Sequence, residues 1–349
     1  MGQGGSSVAA AHGFSSLFTN PAGFASEDAS FILPSLSSWI FADPLRYAGR
    51  LTNRDDGLDA VLTEATDGGY GMGAAAGLAY VGRGLGLGLV LQSESFVYGP
   101  SRMGLAGDHH TTLALIGGYA VAFDLLGVGI RIGASVRPLA RYHTTLTSEA
   151  SMDLLGFFSG SDNFFSAMND QATLHGVGLG FDLGLIAEWS LLKVGLAFRD
   201  VGGTPIIYKS ASHGEVMTSL GRTLVFPPGS IASGNYRIPM NVSLGVALDP
   251  DLRDLGFPFD LIVQAEIGDL VGLVRDDDAF IRHFSTGAEI FLWDSIALRV
   301  GLHQGLLTLG MGLELGLMEL NWATFSQRRD DTPGGVTTPG FALDMALRF

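Results

Sequence analysis

The sequence predicts a transmembrane antiparallel β-barrel of about fourteen strands with an N-terminal hatch, or plug, in its lumen. Three observations carry this. Mean hydropathy is positive at +0.31, yet no apolar run approaches the roughly 18 to 20 residues that a membrane helix needs. The apolar residues are instead diluted with Ser, isolated charges and 50 glycines in 349 residues. From Phe31 to the end they alternate with period two, as strands with one apolar face do. The last such strand ends on an aromatic: Phe341, Leu343, Met345, Leu347 and Phe349 alternate with Gly340, Ala342, Asp344, Ala346 and Arg348. A strand that closes a barrel in lipid gains from that pattern, because its apolar face meets the membrane and the aromatic sits at the interface. The alternatives are an ordinary amphipathic edge strand for this end and a Gly-rich soluble sandwich for the whole.

Residues 1–29 do not alternate. Gly2, Gly4, Gly5, Ser6 and Ser7 lead into small residues punctuated by Phe14, Leu17, Phe18 and Phe24, which predicts a compact segment packed inside something. Asn20-Pro21-Ala22-Gly23 is a turn, because proline fixes φ and glycine permits positive φ. Residues 30–349 make the barrel. Strands are expected near 30–41, 70–81, 84–97, 110–123, 126–140, 172–187, 190–200, 236–249, 257–268, 281–292, 295–303, 306–314, 316–326 and 338–349. Their second face is mostly Gly and Ala, which suits a crowded lumen behind a lipid-facing band. Short connections near 82–83, 124–125, 188–189, 250–256, 293–294 and 315 alternate with long ones at 42–69, 98–109, 141–171, 201–235, 269–280 and 327–337, the 303–305 turn excepted. Short periplasmic turns and long outer loops are expected of such barrels, and placing Phe349 at the periplasmic end puts every long connection outside.

A net charge of −15 leaves no basic stripe for nucleic acid. Absence of Cys suits passage through an oxidising periplasm. The start, Met-Gly-Gln-Gly-Gly-Ser, lacks the basic and apolar stretches of a leader, so an exported protein is read here in its mature form. No Gly-x-Ser-x-Gly elbow, no convincing Ser–His pair and no phosphate loop is present, which points away from an enzyme.

The stretch 4–24, Gly/Ala-rich and ending in Asn-Pro-Ala-Gly-Phe, resembles the N-terminal hatch of the FadL family of outer-membrane transporters for long-chain fatty acids and other hydrophobic compounds. The C-terminal Phe349 is similar to the signal that the barrel-assembly machinery reads. The family resemblance implies a fourteen-strand barrel, ligand capture on the loops after strands five and seven, a lumenal pocket, and a hatch that rearranges as the gate, here Phe14, Phe18, Asn20, Pro21, Ala22, Gly23 and Phe24. In the loop after strand five, Leu154, Leu155, Phe157, Phe158, Phe164 and Phe165 would form the groove, since so apolar an exposed loop needs a reason. The loop after strand seven, with Ile206, Ile207, Tyr208, Met217, Leu220, Leu224, Val225 and Phe226, would be its second wall.

Parity points Arg131, Arg137, Lys193, Arg199 and Arg299 into the lumen. Arg131, Arg137 and Arg299 are the candidate partners for a ligand carboxylate, which arginine holds bidentately. The competing reading pairs each with a lumenal acid such as Glu94, Asp182, Glu266, Glu289, Glu314 or Glu319, because an unpaired buried charge is costly. His12 and His303 read as hydrogen-bonding residues. His109-His110 lacks a third metal ligand, and no cofactor or metal is expected. The resulting expectation is a monomeric outer-membrane channel, in contact with membrane lipid, for passive uptake of hydrophobic molecules such as long-chain fatty acids. The alternatives are a FadL-like scaffold or shuttle component of a secretion or assembly system, and a general porin.

Overall fold

A computed structural model describes residues 5, 8–42, 62–63, 65–66, 68–99, 101, 104–158, 169, 171–223, 225–232, 236–250, 252, 256–275, 280–293, 295–329 and 336–349. The strand segments are β1 (Ser30–Phe41), β2 (Tyr70–Gly82), β3 (Leu85–Tyr98), β4 (Ala106–Leu125), β5 (Val128–Leu146), β6 (Ala172–Trp189), β7 (Leu192–Arg199), β8 (Thr204–Ser212) and β9 (Ser230–Ile231). They continue as β10 (Tyr236–Ile238), β11 (Asn241–Leu248), β12 (Phe259–Ile267), β13 (Phe284–Leu292), β14 (Ile296–His303), β15 (Leu306–Leu315), β16 (Met318–Arg329) and β17 (Val336–Arg348). Helices α1 (Ser148–Phe158), α2 (His213–Thr223) and α3 (Leu270–Arg275) lie in the long connections.

All pairings are antiparallel and the sheet closes, because β1 pairs with both β2 and β17. The segments β7 and β8 are two halves of one stave, since both run along β6. The segments β9, β10 and β11 make the next stave, along β8 and β7. The result is a closed barrel of fourteen staves. Closure uses the last residue: Phe349 N donates to Phe31 O at 2.8 Å and Phe31 N to Phe349 O at 3.0 Å. A closed barrel leaves no unpaired edge, the condition for crossing lipid with strands.

Alternation sorts the two faces. Leu85, Leu87, Leu89 and Leu91 are exposed outward while Gly86, Gly88 and Val90 are buried. Val177, Leu179, Phe181 and Leu183 repeat the pattern on β6. At the end with the short turns, Trp189, Phe257, Trp293 and Phe349 are exposed, a belt of rings suited to the membrane–water boundary. Two of these turns, Arg83-Gly84 and Leu126-Gly127, have positive φ at both residues (52° and 87°, 55° and 83°), the twist that two-residue hairpins favour.

Two departures from the sequence expectation have physical causes. The strands β4 and β5 stay paired out to Gly107 and Leu146. Beyond the lipid band their side chains are Asp, His, Thr, Arg and Tyr, so hydropathy stops alternating while the backbone ladder continues. Residues 204–212, expected in a loop, are strand β8, which resumes stave seven after a kink with positive φ at Asp200 (52°), Gly202 (73°) and Gly203 (77°).

A lumenal cavity between hatch and wall

Residues 8–25 pack against the lumenal wall, held by bonds between side chains and backbone, and residues 26–29 lead out past the Arg83 turn, with Glu27 and Asp28 exposed. Asn20 is fully buried at the start of a 3-10 turn over Pro21–Ala25, and its Oδ1 accepts from Ala22 N at 3.1 Å. Its Nδ2 donates to Val8 O at 2.9 Å and to Leu185 O of β6 at 3.1 Å. Val8 N donates to Glu266 Oε2 at 3.1 Å, and the Arg199 guanidinium donates to Phe18 O. The wall makes room with glycine. A methyl group at Gly184 would overlap Asn20 Oδ1, and one at Gly133 would overlap the Pro21 carbonyl. Leu17 and Phe24 pack with Ala79, Val81, Ile116 and Ala120 on the lumenal face of β2 and β4.

The hatch thus leans on one side of the lumen and leaves a cavity of about 610 Å³ on the other. His12, Phe14 and Phe18 bound it from the hatch; Trp39, Phe41 and Phe325 bound it from the wall. The rings of Phe14 and Phe18 meet edge to face at 5.3 Å, as do Phe41 and Phe325 at 5.8 Å. A polar arc crosses the wall at one level. Glu94 Oε2 accepts from Trp39 Nε1 at 2.9 Å, and Asp344 Oδ2 accepts from Ser37 Oγ at 2.6 Å. Asn321 Nδ2 donates to Glu319 at 2.9 Å and to Asp344 at 3.3 Å. Arg299 donates to Asn321 Oδ1 at 2.7 Å and to Glu289, its direct cross-strand neighbour.

Each of the three candidate arginines is engaged by a carboxylate, and of the three only Arg299 lines the cavity. Arg131 meets Glu188 at 2.9 Å near the short-turn end. Arg137 meets Asp200 at 2.8 Å and Asp182 at 3.6 Å beneath the kink of stave seven. The physical reason is the cost of an unpaired cation facing a glycine-rich wall, which the sequence meets with acids on neighbouring strands. Lys193 is likewise paired, with Asp249 at 2.6 Å and Glu188 at 3.7 Å.

No family profile matches the chain, and no curated protein matches it in sequence. Solved structures do match. The toluene transporter TodX of Pseudomonas putida superposes with a TM-score of 0.52 at 13% identity, covering 99% of this chain and 96% of TodX. The monoaromatic hydrocarbon channel CymD gives 0.55 at 14%, covering 100% and 96%. The toluene transporter TbuX of Ralstonia pickettii gives 0.50 at 13%, covering 99% and 96%. The chain has the FadL-type barrel fold.

In this FadL-type barrel the outer-loop candidates separate. Leu154, Leu155, Phe157 and Phe158 lie on α1. Leu155 is fully buried with Tyr70, Val97, Leu105 and Leu146 in a cluster at the outer rim, so it packs on the barrel mouth and lines no open groove. The side chains of Leu154, Phe157 and Phe158, and the whole of Phe164 and Phe165, lie outside the described residues. In β8, Ile206 and Tyr208 turn inward against Ala114 and Leu139, whereas Ile207 is exposed outward. Of the gate candidates, Asn20, Pro21, Ala22, Gly23 and Phe24 are buried, and Phe14 and Phe18 face the cavity.

The histidines make hydrogen bonds. His12 Nδ1 lies 2.8 Å from Ala10 O, and His303 Nδ1 lies 2.9 Å from Ser285 Oγ. Sequence reasoning missed a cluster above the lipid band. There, His109 Nδ1 lies 2.7 Å from Ser95 Oγ, and Tyr142 pairs with His213 at the start of α2. Burial, together with neighbouring His110 and His213, lowers the His109 pKa from 6.5 to about 4. Burial also lowers that of His213. Among the described residues no group of three or more His, Cys, Asp or Glu could hold a metal ion.

Proposed function

We propose that the protein is a bacterial outer-membrane channel for passive entry of hydrophobic small molecules, with the hatch as its gate. The observation that carries this is the cavity of about 610 Å³ between the hatch rings and an aromatic wall, a volume and lining typical of small-molecule sites. The fold shared with transporters and channels for toluene and monoaromatic hydrocarbons supports the same reading. A polar solute would gain nothing from the rings of Phe14, Phe18, Phe41 and Phe325, so a general porin fits less well. Long-chain fatty acids are the substrate class that the family resemblance implies. Among the described lining residues, Arg299 is the one guanidinium that could receive their carboxylate, and Glu289 and Asn321 already engage it.

The test is equilibrium binding to the purified full chain in non-ionic detergent, read by the tryptophan fluorescence to which the cavity residues Trp39 and Trp322 contribute, alongside uptake by cells with and without the protein. Saturable quenching by hydrophobic probes and protein-dependent uptake are expected. Absence of both sinks the reading. A scaffold role has one observation in its favour, the exposure of Ile207, Met217, Val225 and Ile231 in and after β8. It predicts instead a protein partner that co-purifies in fixed stoichiometry and is lost when these four residues become Ser.

A further inference from the structure

We infer that α2 and the strap after it, residues 225–231, form a membrane-surface element on the outside of the barrel. It seats Met217, Val225 and Ile231 in the leaflet on the side of the long connections, and Lys209 and Arg222 meet the anionic head groups there. This rests on the barrel fold and holds whatever passes through the lumen.

Strand register fixes which side of the wall the element covers. Leu113, Ala140, Val177 and Ile207 are direct neighbours in turn across β4, β5, β6 and β8. Leu113, Val177 and Ile207 are exposed, so this row belongs to the lipid-facing side. Two residues further towards the long connections, the same side carries Thr111, Tyr142, His175 and Lys209, again neighbours in turn, with Ile231 opposite Lys209. Tyr142 and His175 are nevertheless only 4% and 1% exposed. The chain after β8 covers them. His213, the first residue of α2, bonds to the Tyr142 hydroxyl. Phe226 lies against the His175 ring with centroids 5.0 Å apart, and His175 Nε2 lies 3.1 Å from Pro227 O. Ser219 Oγ donates to Val225 O at 2.8 Å, which ties the strap to the helix. Helix and strap therefore lie outside the wall, on the face that meets lipid one row below.

Strand geometry sets their level. His175 is 14 residues along β6 from Trp189, in the belt at the short-turn end. That is about 46 Å of strand at about 3.3 Å per residue, or about 35 Å of height at a tilt of about 40°. An apolar band about 25 Å tall ends near the Val177 row. The element thus stands where acyl chains give way to head groups, the depth at which amphipathic helices bury one face. Its side chains suit that place. Ile231, diagonal to Ile207 across β8 and β9, prolongs the apolar surface beyond the band and is 74% exposed. Val225 on the strap and Met217 on α2 are exposed as well. Lipid that covers Val177 and Ile207 reaches Ile231 with no further partner, so a leaflet fits this surface better than a protein does. Lys209 stands between His175 and Ile231 on this face, and Arg222 is exposed in the last turn of α2. The acid of the helix, Glu215, accepts from Ser212 N at 3.0 Å at the helix start. In a chain of net charge −15, two cations at head-group level match phosphate-bearing lipids.

The chain has no cysteine, so single labels report one place each. Met217→Cys, Val225→Cys and Ile231→Cys, each carrying a nitrobenzoxadiazole fluorophore, are reconstituted as the full chain in vesicles of phosphatidylcholine and phosphatidylglycerol. A nitroxide high on the acyl chain of either lipid is the quencher. Leu179→Cys in the lipid band and Glu149→Cys at the exposed start of α1 set the two limits. The heat-modifiable gel shift confirms the folded barrel in every variant. Quenching at the three positions is expected within about twofold of Leu179→Cys and at least about fivefold above Glu149→Cys. At Ile231→Cys, nitroxide phosphatidylglycerol should quench more than nitroxide phosphatidylcholine, and adding Lys209→Gln with Arg222→Gln should remove the difference. Quenching at the Glu149→Cys level, with emission as in water, overturns the inference. Shielded emission without lipid quenching also overturns it and assigns the surface to a protein, a second copy where shielding rises with protein density. Equal quenching by the two lipids, or a preference that survives the double variant, overturns the role given to the cations.

Discussion

At the residue scale, Asn20 and the lumenal arginines show how burial sets the size of an effect. Asn20 is fully buried and satisfies Val8 O, Leu185 O and Ala22 N at once. Asn20→Ala strands these groups, each at a cost of about 1–3 kcal/mol where water cannot replace the bond. The expected result is faster hydrogen exchange and earlier proteolysis of residues 8–29, with the barrel still heat-modifiable on gels. Gly184→Val should reproduce it from the wall side, because its side chain would take the space of Asn20 Oδ1. The arginines divide by exposure. Arg137 is 13% exposed against Asp182 at 3% and Asp200 at 8%, whereas Arg131 and Glu188 are 29% and 30% exposed. Arg137→Ala leaves two buried carboxylates with Arg199, Ser135 and Thr204 as their remaining partners and should lower barrel stability by clearly more than Arg131→Ala, which should cost about 0–1 kcal/mol. Urea unfolding in detergent ranks them, and equal losses would contradict the pairing described. Parity in the sequence was enough to turn these side chains inward. Their partners were legible only in part, because Asp200 reaches Arg137 through a kink that no periodicity announces.

At the scale of elements, the strands were legible wherever one face meets lipid, and illegible where it does not. The segment Leu85–Leu91 declares itself by leucine at every second place. The outer halves of β4 and β5 carry polar side chains on both faces, so only backbone pairing marks them as strand. Likewise Val201-Gly202-Gly203-Thr204-Pro205 reads as a break, yet the stave resumes within it, at Thr204. The outer extension holds α2 through Tyr142 and His213, with His109 beside them and Asp108, His110 and His143 as charged or titratable neighbours. The docked form keeps His109 neutral down to about pH 4, whereas an undocked histidine protonates near 6.5. The docked form therefore binds fewer protons between these values. Docking should be strongest above pH 6.5, weaken as pH falls towards 4, and level off below. Hydrogen exchange of segments 106–112 and 213–223, corrected for the intrinsic pH dependence, should rise in that window. His109→Asn should make the profile shallower, leaving the part that His213 contributes with its own lowered pKa, and an unchanged profile in that variant would assign the effect elsewhere.

At the scale of the whole molecule, the question is whether the hatch moves when solute passes. The hatch is bound to the wall at many points and bounds the cavity through Phe14 and Phe18, so a ligand in the cavity would touch the proposed gate itself. The chain has no cysteine, which makes a single tether clean to engineer. A Cβ placed on Gly245 of β11 would lie 3.5 Å from Val8 Cβ, within the span that a disulfide bridges. Gly245 also lacks positive φ, so cysteine is tolerated there by the backbone. The pair Val8→Cys and Gly245→Cys should therefore oxidise without distorting the wall and pin the start of the hatch to β11. If passage needs the hatch to shift, the oxidised form should still bind probe in the cavity, as judged by tryptophan fluorescence, but lose uptake by at least about tenfold, a barrier of about 1.4 kcal/mol or more. Reduction should restore it, and each single-cysteine variant should behave as the parent. Undiminished uptake with the tether closed would mean that solute leaves past a fixed hatch. The gate would then have to lie elsewhere in the wall, with the kink between β7 and β8 the first place to tether next.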